Sequence, residues 1–62
     1  MVKPKVRLTG TDGNVFAVIG AVAGALKRAG LDAEAREFTS KAFASESYGE
    51  VLMLAAEYAE VS

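Results

Sequence analysis

The residues best placed to do chemistry form one short turn, Gly10-Thr11-Asp12-Gly13-Asn14, between an alternating segment and a long apolar one. A strand, a glycine-containing turn and a helix in that order can hold an anion, because the turn amides and the helix dipole direct positive charge toward it. Gly10, Thr11, Gly13 and Asn14 would line such a site. The pattern nevertheless stops short of a phosphate signature. Neither G-x-G-x-x-G nor G-x-x-x-x-G-K-[ST] is present, and Asp12 would repel an anion unless its side chain turned away. The expected role of the turn is a capped entry into a helix, with the Asn14 side chain accepting from the free amides of the first helical turn.

Other chemistries lack their usual residues. With no His and no Cys, the commonest general bases, thiol nucleophiles, disulfides and zinc ligands are missing. Glu34 and Glu37, and Glu57 and Glu60, are spaced three apart, but on solvated faces such pairs serve solubility. The segment from Thr11 to Asn14 offers a single carboxylate, too few oxygen ligands for calcium. The sequence is therefore read as non-catalytic, with no metal and no cofactor.

Charge is divided along the chain. The first half holds Lys3, Lys5, Arg7, Lys27 and Arg28 against Asp12, and the second half holds seven carboxylates against Arg36 and Lys41, for a net charge of −1. The halves can complement each other within one fold or between copies of it. The alternative is a nucleic-acid-binding accessory protein that uses Lys3, Lys5 and Arg7 on one strand face. That face carries no aromatic for base stacking: Phe16 and Phe38 are expected in the core, and Phe43, Tyr48 and Tyr58 are left open.

The elements that would position these groups follow from periodicity. Val6 and Leu8 alternate with Lys5, Arg7 and Thr9, predicting strand one over Lys5 to Thr9, with Pro4 at its start. Val15, Val18, Ile19, Val22 and Leu26 make the main stripe of a first helix over residues 15–29. Its other positions, Phe16, Ala17, Gly20, Ala21, Ala23, Gly24 and Ala25, are also apolar. Gly30 then Leu31 predict a left-handed cap. Asp32 is expected to cap a second helix, from 33 to 42 or 44, with Ala35, Phe38 and Ala42 inward. Ser47 and Glu50 have capping-box spacing for a third helix over Tyr48 to Glu57, with Val51, Leu54, Ala55 and Tyr58 on one face. Residues 58–62 return to a period of two and predict strand two, with Ala59 and Val61 on one face and Glu60 beside Lys5 and Arg7. The expected fold is a small α/β (α+β) domain spanning 1–62, β-α-α-α-β, two short strands packed against three helices, with strand direction undetermined.

A 62-residue chain buries only about 60% of the surface it exposes when unfolded, so its stability is marginal without reinforcement. Association is the reinforcement left open, and a homodimer is expected. It would either join sheet edges or cover helix one, and the apolar surplus on that helix favours the second. Val15, Ile19, Gly20, Ala23 and Gly24 are the candidate seam. The G-x-x-x-G spacing has two readings: close packing of helix one inside its own chain, or a seam between chains. A further, unidentified protein partner is compatible with either. The apolar run from Val15 to Leu26 is shorter than the roughly 20 residues of a membrane helix. With no leader-like start, the expectation is a soluble cytoplasmic protein without membrane contact.

The run Val6-Arg7-Leu8-Thr9-Gly10-Thr11-Asp12-Gly13-Asn14, followed by Phe16 and then Lys27-Arg28-Ala29-Gly30, resembles a group of very short bacterial hypothetical proteins, some phage- or plasmid-associated. The likeness spans nearly the whole chain, and G-T-D-G-N-x-F is its most specific part. Gly49 departs from the polar residue expected at that helix start. The resemblance implies the same alanine-rich helix and terminal strand, and implies no activity, cofactor or catalytic residue.

Overall fold

The computed structural model describes residues 3–8 and 14–61. Among them the order is β1 (Lys5–Val6), α1 (Val15–Arg28), α2 (Asp32–Ala44), α3 (Tyr48–Tyr58) and β2 (Glu60–Val61), the β-α-α-α-β arrangement that the periodicity predicts. The strands pair parallel, with Lys5 opposite Glu60 and Val6 opposite Val61. Parallel neighbours require a long crossover, and the three helices supply it.

Local signals start and stop α1. The Asn14 side chain accepts from the amides of Phe16 at 2.9 Å and Ala17 at 3.4 Å. At the other end Gly30 takes φ +81°, and the amides of Gly30 and Leu31 donate to Lys27 and Leu26 at 3.0 and 2.8 Å. These two bonds satisfy carbonyls that a helix end leaves open, and only a residue tolerant of positive φ makes them without strain. Leu31 packs back against the core.

That tight exit changes how α2 begins. Leu31, not Asp32, occupies the N-cap position, and no side chain caps the helix. Asp32 is instead its first helical residue and acts with Glu34 as negative charge in the first turn, where the dipole favours it. At α3 the Ser47 hydroxyl accepts from the Glu50 amide at 3.2 Å, as the capping box predicts. The Glu50 carboxylate, however, reaches one residue further back, to the Glu46 amide at 2.6 Å.

The two strands are shorter than periodicity suggests. Val6 is buried and Leu8 half-buried between exposed Lys5 and Arg7, so the alternation holds, but ladder pairing ends at Val6. Thr9 lies outside the described residues. At the other end α3 extends through Tyr58, because that ring falls on the same helical face as Val51 and Ala55 and gains burial there. The strand then begins at Glu60. Ala59 becomes the buried junction while Val61 is 37% exposed, so the expected shared face for these two residues is not formed.

One apolar cluster joins the helices and β1. Val18, Val22, Leu26, Phe38 and Val51 are its largest fully buried side chains, and among the described residues no polar or charged side chain is buried with them. The Phe38 and Tyr58 rings meet edge-on with centroids 5.6 Å apart. Truncating a fully buried phenylalanine typically costs about 3–5 kcal/mol, comparable to the whole stability of so small a domain. Phe38→Ala is expected to leave the chain largely unfolded at 25 °C, read as lost far-UV helical signal; a native-like urea midpoint would contradict this.

Candidate functional site

The α1 stripe expected in the core is there, with Val18, Ile19, Val22, Ala25 and Leu26 buried. The opposite face is not covered. Phe16, expected in the core, is 67% exposed, because it sits in the first turn about 100° around the helix from Val15 and clear of the buried stripe. Phe43 near the end of α2 is 61% exposed, and its ring lies 6.1 Å from that of Phe16, tilted by 42°. An open groove of about 400 Å³ runs beside this pair, lined also by Val15, Ile19, Tyr48 and Val51 and by the polar Ser45, Glu46 and Ser47.

The same α1–α2 surface continues away from the rings. Gly20, Ala23 and Lys27 follow Phe16 at intervals that keep them on one helical face. Lys27 then meets Arg36, Thr39 and Ser40 of α2 around a second shallow hollow of about 300 Å³. One face thus runs from two aromatic rings and a carboxylate, across small residues, to two cations.

The candidate seam residues differ in burial. Ile19 is buried in the core of its own chain and does not belong to an exposed seam; Val15 is half-buried at the groove wall. Gly20 is exposed, and Ala23 and Gly24 are half-buried. A methyl group added at Gly20 would meet no heavy atom within 4 Å, and one at Gly24 would meet only the Arg28 guanidinium, at 3.4 Å. Of the two readings of the G-x-x-x-G spacing, close packing inside the chain is therefore not what these glycines do.

The basic strand face is partly committed elsewhere. The Lys3 ammonium donates to the Ala56 carbonyl at 3.1 Å in the last turn of α3, a cation on the negative end of a helix. Lys5 stands across from Glu60, as expected, and Arg7 is exposed. Of the candidate anion-binding turn, Gly10, Thr11 and Gly13 lie outside the described residues. Asn14 spends its side-chain oxygen on the α1 cap.

A second cluster, absent from the sequence reading, ties α2 to α3. The Tyr58 hydroxyl donates to the Glu37 carboxylate, which also receives the Lys41 ammonium at 3.2 Å. Lys41 stands 5.9 Å from the Tyr58 ring centre, at the outer range of a cation–π contact. The Glu37–Lys41 spacing was legible as a helical i, i+4 pair, but Tyr58 is 21 residues further on. The Tyr58 hydrogen bond, then Lys41, hold the Glu37 carboxyl below its usual range. Burial, then Glu37, push the Tyr58 phenol up. Glu34 joins no such cluster, and no three carboxylates converge as a metal site among the described residues.

No family model, curated protein or solved structure matches the chain. Among the described residues no helix is long and apolar enough to cross a membrane.

Gly20→Ala adds a methyl into open space while improving helix propensity, so it should stabilise the dilute chain by up to about 1 kcal/mol in urea denaturation. A loss of stability would mean that the position is crowded. For Tyr58→Phe the sign differs at the two pH limits. A lowered carboxyl adds stability above the ordinary carboxylate range that disappears as pH falls through its folded value; a raised phenol adds stability below the ordinary phenol range that disappears as pH rises through its folded value. The Tm gap between wild type and Tyr58→Phe should be widest between those ranges and narrow toward both extremes. A gap constant from acid to alkali would show that the hydroxyl is not coupled to Glu37.

Proposed function

We propose that this chain is a non-catalytic, self-associating interaction module of the bacterial cytoplasm, whose copies meet through the exposed α1–α2 face as a homodimer. The observation that carries the reading is the Phe16–Phe43 pair: two large exposed rings, tilted against each other with centroids 6.1 Å apart, on a helix face where a methyl group at Gly20 would meet nothing. Contiguous apolar surface of this kind marks interaction sites on small domains. Small residues beside it let a second helix approach closely. Burying both rings would also reinforce a domain that has no disulfide.

Sedimentation velocity at micromolar concentration tests the reading. The wild type should sediment as more than one copy. Phe16→Ser and Phe43→Ser should each weaken association by roughly 1–2 kcal/mol, the size expected for an interface aromatic, with the far-UV spectrum unchanged. A wild type that stays monomeric at every attainable concentration would refute it.

A further inference from the structure

Resting on that self-association reading, the geometry points to the occupant of the aromatic groove: Lys27 of a second copy, in an antiparallel two-fold pairing of the α1–α2 faces. The groove beside Phe16 and Phe43 is lined mainly by apolar side chains, with Ser45, Ser47 and one carboxylate, Glu46, on its polar side. That combination suits a side chain with a long aliphatic stem and a cationic tip, which can lie along the rings and place its charge on the acid. The same face offers such a group at its far end, where Lys27 and Arg36 border the second hollow.

Lys27 cannot reach the groove of its own chain. Phe16 and Lys27 are eleven residues apart on α1, about 16 Å along the axis, beyond the roughly 8 Å over which exposed charges interact at physiological salt. Within the described residues the one ion pair is Glu37 with Lys41, on a single helix, so the cations of α1 are not matched by ion pairs to the acidic half. Turning a second copy end for end brings each aromatic, acidic end onto the other's cationic end. With Phe16 opposite Lys27 of the second copy, the antiparallel register sets Gly20 opposite Ala23 at the crossing, where small side chains permit close approach. The contact is isologous: each groove receives one lysine, and the assembly closes at two copies.

A charge exchange tests the pairing. Glu46 and Lys27 side chains are exposed, so Glu46→Lys and Lys27→Glu should leave the far-UV spectrum intact. Each variant alone sets like charges together twice per dimer and should weaken self-association about tenfold or more. Mixed, the two variants restore both opposite-charge contacts, so native mass spectrometry should show the mixed dimer outcompeting either homodimer. Both variants self-associating as tightly as wild type, or no preference for the mixed dimer, would overturn this pairing while leaving self-association standing. A wild-type chain that is monomeric throughout would remove both proposals. If that monomer still shifted its phenylalanine NMR signals on addition of a lysine-containing peptide, the groove would belong to a foreign basic segment instead.

Discussion

The fold depends on the burial of one ring. α2 contributes Ala35, Phe38 and Ala42 to the core, and only Phe38 among them is large. It is fully buried, and the Tyr58 ring closes on it from α3. The two alanines, a turn away on either side, add little bulk, and Phe38 shares one buried cluster with residues of both α1 and α3. The strands cannot replace this contact. Each is two residues long, and isolated two-stranded sheets are at best marginal in water. They close the ends of the chain onto a three-helix core that is already specified.

Concentrating the apolar contact there determines what α1 leaves outside. A helix apolar on every side presents more surface than one amphipathic hairpin partner can cover, and α2 is charged on its outer positions. The α1 stripe centred on Val18 and Val22 takes the interior. Phe16, Ala17 and Gly20 remain on the solvent side, and Phe43 joins them because it follows Ala42 around α2. The aromatic pair is thus a consequence of how two helices share one core.

Those parts of the fold that local chemistry decides are legible in the sequence. Asn14, Gly30 and Ser47 act through bonds within a few residues, so their types announce the boundaries of α1 and the start of α3. The inward stripes are equally legible, since period alone places Ala35, Phe38 and Ala42 together. What failed depended on tertiary competition. The terminal alternation was genuine, but Tyr58 gains more by completing a helical stripe onto Phe38 than by opening a strand. Asp32 had the chemistry of a cap and lost the position because the Leu31 amide was already bound to Leu26. The type of Phe16 points inward, whereas its angle around the helix turns it to solvent. Parallel pairing was undecidable, since two residues per strand carry no register information. At the site, Gly20 and the cations were visible in sequence, but the Phe43–Glu46 groove depends on how α2 turns into α3.

The glycines bear on how stability and assembly are related. Gly20 and Gly24 each cost about 1 kcal/mol of helix propensity against alanine, yet a methyl group at Gly20 would enter open space and one at Gly24 would meet only the Arg28 guanidinium. A domain of this size has few kcal/mol of stability in total, so a deficit of that order on its longest helix is a substantial fraction of it. A contact that removes Phe16 and Phe43 from water has the same order of magnitude and acts on the same helix. In the proposed assembly folding and association therefore form one equilibrium: mass action on the α1–α2 face supplies part of the free energy that holds α1 in the core, and the stability of the fold depends on its own concentration.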